Sequence, residues 1–137
     1  MNRPVSLLII DDNQNFLNAI AVYIEEHFTD QIRVVGLAQT SLDGIELGRR
    51  LHPQVVLLDL KMPDVHGFMV IPALRQVLPE VKIITTSLLS AELFNQSGDI
   101  YETESQKAGA DTFIPKLNLE TDLIRAVQTM LEAAPWQ

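Results

Sequence analysis

Two acidic residues, Asp11 and Asp12, follow the apolar run Leu7-Leu8-Ile9-Ile10, and a third, Asp59, closes a second apolar run, Val55-Val56-Leu57-Leu58. The second run leads into a turn marked by Pro63 and Gly67. If both runs are parallel strands of one sheet, the three carboxylates meet at one edge, where open parallel sheets bind their ligands. Carboxylates held so close are stable only with a cation, and an all-oxygen set with room for waters and a phosphate oxygen suits Mg2+. The matching chemistry is transfer of a phosphoryl group to Asp59, a carboxylate ionised near neutral pH that needs no separate base. Each acid also has an ordinary reading, since Asp-Asp-Asn after a strand is a good helix cap and Asp before a Pro/Gly turn is common.

Two further strand ends supply what a phosphoryl group needs beside a metal. Thr85, Thr86 and Ser87 offer hydroxyl donors, and Lys116, after Phe113-Ile114-Pro115, offers a cation that pairs first with Asp59 and then with the phosphate. Taken alone, the hydroxyls are strand residues and the lysine a solvated loop residue. The set decides the matter, because acid pair, acid, hydroxyl and lysine fall in that order at the ends of the first, third, fourth and fifth expected strands.

The elements that must position them alternate. Strands are expected at Ser6 to Ile10, Arg33 to Ala38, Val55 to Leu58, Val81 to Thr86 and Thr112 to Ile114, the first and third apolar enough to be covered on both faces. Helices are expected from Asn15 to Phe28, around Leu42 to Leu51, from Phe68 to Leu78 and from Leu119 to Ala133. The inward stripes are read as Phe16, Ile20, Tyr23, Ile24 and His27; then Leu42, Ile45 and Leu51; and finally Leu123, Ile124, Val127 and Leu131. Asp12 or Asn13 caps the first helix, Pro53 stops the second, and Pro72 shortens or bends the third. Strand alternating with helix predicts one α/β domain, a doubly wound parallel sheet with helices on both faces, with its core at about residues 5–133 of 1–137. The stretch Leu88 to Lys107 breaks the pattern, because Asn95-Gln96-Ser97-Gly98-Asp99 interrupts any continuous helix.

Bulk properties exclude several classes. A net charge of −8 with scattered basic residues argues against direct binding to nucleic acid. No cysteine is present, so there is neither disulfide nor thiolate zinc site, which suits a cytoplasmic location. No apolar run approaches a membrane span. His27, His52 and His66 lack metal-ligand spacing.

The pieces Leu8-Ile9-Ile10-Asp11-Asp12, Val55 through Pro63 with Gly67, and Lys107-Ala108-Gly109-Ala110-Asp111 leading to Lys116 resemble the receiver (CheY-like) domain of two-component response regulators along nearly the whole chain. The run Asp43-Gly44-Ile45-Glu46-Leu47 resembles receivers that carry LuxR-type helix-turn-helix output domains. The resemblance implies a flavodoxin-like, five-stranded sheet in the order 2-1-3-4-5. It implies Asp59 as phosphoacceptor from a sensor histidine kinase or phosphotransfer protein, with Mg2+ held by Asp12, Asp59 and the backbone carbonyl of Lys61, and Asp11 acting largely through water. Ser87 is then the switch hydroxyl, with Thr86 the alternative; Lys116 pairs with the phosphate; Phe113 follows the switch by its rotamer. Phosphorylation would bias the surface at the fourth and fifth strands toward an output domain, a partner or a homodimer.

Two departures stand out. The family often has Pro directly after the lysine, whereas here Leu117 follows and Pro115 precedes. The interval from Ser87 to Gly109 is long, with the excess near Phe94 to Asp99, where the resemblance places the output surface. Neither Lys61 nor Leu89, two residues beyond Asp59 and Ser87, can orient an attacking water, so slow loss of phosphate is expected. A haloacid-dehalogenase-like phosphohydrolase needs a second Asp where Lys61 stands, and a flavodoxin-like FMN carrier needs a Ser/Thr/Gly-rich loop where Asp11-Asp12-Asn13 stands. A receiver used as a phosphorylation-independent interaction module is the remaining alternative. The close of the sequence, Ala134-Pro135-Trp136-Gln137, fits either a single-domain regulator or the receiver piece of a longer protein, the second being favoured.

Overall fold

The computed structural model describes residues 3–61, 67–88 and 106–132. In chain order the elements are β1 (Val5–Ile10), α1 (Gln14–His27), β2 (Ile32–Ala38), α2 (Ser41–Leu51), β3 (Val55–Asp59), α3 (Gly67–Val77), β4 (Lys82–Ser87), β5 (Thr112–Pro115), a 3-10 turn (Lys116–Asn118) and α4 (Leu119–Glu132). All strand pairs are parallel and the sheet order is β2-β1-β3-β4-β5, as the resemblance implied. The atypical stretch of residues 89–105 lies outside the described residues, as does the turn of residues 62–66 with His66.

Side-chain alternation along the strands divides the core in two. Leu7, Ile9, Val55, Leu57 and Ile84 meet α1 (Leu17, Ile20, Ile24) and α4 (Leu119, Leu123, Val127) in one cluster. Leu8, Ile10, Val56, Leu58 and Ile83 meet Val70, Ile71 and Leu74 of α3 in the other, with Ile45 and Leu47 of α2 packed against it. β1 and β3 are covered on both faces, which is why they read as unbroken apolar runs.

The buried face of α2 differs from the expected one. Leu42 and Leu51 are 70% and 41% exposed, and the buried residues are Ser41, Gly44 and Gly48. The helix lies so close to the sheet that a Cβ on Gly44 would stand 2.4 Å from Ile10 Cδ1. Small residues, invisible to a count of leucines, make the contact; only Ile45 of the expected stripe packs inward. On α1, likewise, Leu17 is buried while His27 is exposed and stacks on Tyr23 with ring centroids 4.4 Å apart. The inner face of α4 agrees with expectation, Leu123 and Val127 being buried and Ile124 and Leu131 packing beside them.

Asn13, not Asp12, caps α1, its side chain accepting from Phe16 N at 3.1 Å. Pro72 lies inside α3, which continues to Val77. Pro115 closes β5, which among the described residues pairs only with β4, so its missing N–H breaks no ladder on the open side. Among the described residues no helix is long and apolar enough to cross a membrane.

Candidate functional site

Chain direction reverses across β1 and β3: from β1 the chain moves outward to β2, then returns past β1 to β3. The last register pair is Ile10 with Leu58, and the next residues on the two strands are Asp11 and Asp59. Backbone bonds from Asp11 N to Ala38 O (2.9 Å) and from Leu60 N to Thr86 O (3.0 Å) tie both strand ends to their outer neighbours. The two acids therefore stand side by side at the crevice where parallel sheets place ligands.

Carboxylate oxygens of Asp11, Asp12 and Asp59 all lie within 4.8 Å of one another. Asp11 and Asp59 are buried and Asp12 is exposed. Asp11 Oδ1 accepts from Asn13 N at 2.9 Å and Asp59 Oδ1 from Lys61 N at 3.1 Å. The other oxygen of each faces Lys116, whose ammonium lies 2.7 Å from Asp11 Oδ2 and 3.6 Å from Asp59 Oδ2. Among the described residues Asp11 Oδ2 has no hydrogen-bond partner, so the ion pair is what offsets its burial. Sequence reasoning paired Lys116 with Asp59; the shorter contact is to Asp11.

Three carboxylates and one ammonium leave an excess of negative charge. Burial pushes the pKa of Asp59 above the ordinary carboxylate range, to about 6; the Lys61 N–H opposes this, Asp11 adds to it, Lys116 opposes it and Asp12 adds to it. The donor set fits a hard divalent cation: all ligand atoms are oxygens, one carboxylate is open to solvent, and the spread of the oxygens is only slightly wider than the roughly 4.2 Å across an octahedral Mg2+ shell.

Of the two candidate hydroxyls at the end of β4, Thr86 Oγ1 donates to Ile114 O at 2.6 Å, whereas Ser87 Oγ is fully buried and has no hydrogen-bond partner among the described residues. Thr85 Oγ1 reaches Thr112 O at 3.3 Å. A buried orphan hydroxyl is uncommon, and here it ends β4, one residue beyond Thr86, the register partner of Asp59. Phe113 is half-buried on β5, in register with Thr85. Lys61 is exposed two residues beyond the end of β3. His27 and His52 are exposed, and among the described residues no histidine joins the acid cluster.

One residue of the site went unread in the sequence. The ammonium of Lys116 lies 4.3 Å from the ring centroid of Phe16, on the first turn of α1. Sequence periodicity marked Phe16 only as an inward helix residue; the signal that could have found it is its place one turn after the acid pair.

Comparison with known proteins agrees with this geometry. The profile described as a response regulator receiver domain matches residues 7–128. The transcriptional regulatory protein MctR of Rhizobium johnstonii is 29% identical over 93% of this chain and 56% of its own length. The nitrate/nitrite response regulator protein NarL of Escherichia coli K12 is 30% identical over 91% of this chain and 54% of its own. The chain thus spans about half the length of these relatives. The fold is shared with the signal receiver domain of the putative response regulator NarL from Mycobacterium tuberculosis, with TM-score 0.80 and 23% identity over 97% of this chain and all (100%) of that one. These likenesses bear out the resemblance to receivers of the LuxR-type regulators.

Proposed function

This chain belongs to the family of response regulator receiver domains, and on that premise we propose that it is a phosphoryl-accepting switch whose acceptor is Asp59. The observation that carries the reading is the convergence of three carboxylate-bearing residues and Lys116 at neighbouring strand ends. A carboxylate oxygen of Asp59 attacks the phosphorus of a phosphohistidine on a sensor kinase or phosphotransfer protein. The P–O bond forms as the P–N bond breaks, and the electron pair returns to the imidazole nitrogen. The protein's work is alignment and charge neutralisation, since phosphoryl transfer passes through a loose transition state.

Asp12, Asp59 and the Lys61 carbonyl are the proposed inner ligands of Mg2+, with Asp11 acting largely through water. When bound there, Mg2+ would supply positive charge that offsets the negative charge of the acids and of an incoming phosphoryl group. Lys116 turns its ammonium from Asp11 to the new phosphate, which brings added charge and strong acceptors. Ser87, whose hydroxyl has no bond to give up, donates to a phosphoryl oxygen, and Phe113 follows by changing rotamer. Thr86 is the weaker candidate because its proton is committed to Ile114 O. The β4 and β5 surface carries the change to an output domain, a partner or a second copy of the chain.

No further enzymatic activity is proposed for this domain beyond Mg2+-dependent self-phosphorylation and slow loss of the phosphate, nor any nucleic-acid or membrane partner; its proposed setting is the cytoplasm. Incubation with acetyl phosphate and Mg2+, followed by intact mass measurement, tests the reading. Wild type should gain one phosphoryl group and Asp59→Asn none; equal gain by both, or gain by neither, would remove it.

A further inference from the structure

We propose that Phe16 is a positioning residue for Lys116, its ring forming the floor that keeps the ammonium at the site when Asp11 no longer holds it. The inference deepens the phosphoacceptor reading and rests on it.

Four contacts close a loop. Asp11 Oδ1 accepts from Asn13 N at 2.9 Å, the Asn13 side chain accepts from Phe16 N at 3.1 Å, the Phe16 ring lies 4.3 Å from the Lys116 ammonium, and that ammonium lies 2.7 Å from Asp11 Oδ2. The acid that pairs with Lys116 thus also fixes, through the cap of α1, the aromatic ring beside the lysine. The ring itself is anchored, because Phe16 packs against the cluster built from α1, α4 and one face of the sheet. Lys116 begins the 3-10 turn after β5 and its side chain is only 13% exposed, so little water competes for its charge.

The contact has a purpose in the cycle. Asp11 is also a member of the acidic cluster. Once its charge is shared with a cation, Lys116 loses much of its closest partner and must stay near Asp59 to meet the phosphate. An aromatic face attracts an ammonium through its ring quadrupole and does not compete for it as a carboxylate does. It therefore orients the lysine without holding it back from the phosphoryl group. A leucine would fill similar space and supply no such attraction.

The test uses the full chain with Phe16→Leu, Phe16→Tyr, Lys116→Ala and the double variant Phe16→Leu/Lys116→Ala, each checked for folding by thermal unfolding. Beryllofluoride affinity with Mg2+ is titrated by NMR, and the Lys116 Hε shifts are recorded in EDTA. Phe16→Leu should weaken beryllofluoride binding about 3- to 10-fold and abolish the upfield ring-current shift of Lys116, whereas Phe16→Tyr should stay within about 2-fold of wild type. In the Lys116→Ala background the Phe16→Leu change should have no further effect. An unchanged affinity in Phe16→Leu, or the same loss with Lys116 removed, overturns the proposal while leaving the phosphoacceptor reading intact. Failure of wild type to bind beryllofluoride overturns both.

Discussion

The ammonium of Lys116 lies closer to Asp11 than to Asp59, at 2.7 against 3.6 Å. Asp11 is fully buried with its Oδ2 otherwise unbonded, so the lysine compensates one carboxylate while standing within reach of its neighbour. Lys116→Ala would leave that charge uncompensated and should cost roughly 3–5 kcal/mol of stability in EDTA. Millimolar Mg2+ should restore part of the loss by binding the acids. Chemical denaturation of both proteins with and without Mg2+ checks this; a variant as stable as wild type in EDTA would show that the pair is unimportant.

Asp59 contributes pH dependence of defined sign. Its pKa is raised when folded, to about 6, chiefly by burial. The folded state therefore holds the proton more tightly than the unfolded chain. The stability this gives is fully present below about pH 4, is lost as pH rises to about 6, and amounts to about 3 kcal/mol for a shift of about two units. Asp59→Asn should hence be more stable than wild type at pH 7 in EDTA, and the difference should shrink toward pH 4. Urea midpoints across that range measure it; an Asn variant that is less stable at pH 7 would contradict the burial argument.

The two hydroxyls of β4 should separate stability from signalling. Thr86→Ala removes a 2.6 Å bond to Ile114 O and should cost about 1–2 kcal/mol. Ser87→Ala removes a buried hydroxyl with no partner and should be nearly neutral in stability, while reducing the NMR shift changes that beryllofluoride produces in β4 and β5. Reversal of the two effects would make Thr86 the switch residue.

The close approach of α2 to the sheet predicts unequal effects at two nearby positions. Gly44→Ala places a Cβ against Ile10 and should destabilise by about 1–3 kcal/mol, whereas Leu42→Ala, on an exposed side chain, should fall within about 0.5 kcal/mol of wild type. Thermal unfolding decides; a stable Gly44→Ala would mean that Ile10 yields easily.

How much of this was legible in the sequence follows from the physics of each signal. Strands covered on both faces announce themselves as apolar runs, so the termination of two such runs at Asp11 and Asp59 marks the crevice in the sequence itself. Strand order is not written in any local pattern; it came from resemblance to a family. Close helix packing uses Gly44 and Gly48, which carry no hydrophobic signal, and the exposed Leu42 and Leu51 supplied a false one. The partners of Lys116 depend on contacts of high sequence separation, so the preference for Asp11 leaves no local trace, and the ring of Phe16 is marked only by its place one turn after the acid pair.

Phosphate, once attached, should persist. The residues two beyond Asp59 and Ser87 are Lys61 and Leu89, and neither carries an acid or amide to orient a water. Replacing Lys61 by Glu or Gln should shorten the phosphate lifetime several-fold, followed as decay of the phosphorylated mass after removal of the donor. An unphosphorylated wild type within seconds would contradict this.

The central claim is that Asp59 accepts the phosphoryl group. After reaction with acetyl phosphate and Mg2+, borohydride reduction converts an aspartyl phosphate to homoserine, and peptide mapping locates the altered residue. The site geometry predicts homoserine at position 59 and nowhere else. An altered residue at Asp11 or Asp12, or an unmodified peptide at Asp59 in a phosphorylated protein, would contradict it.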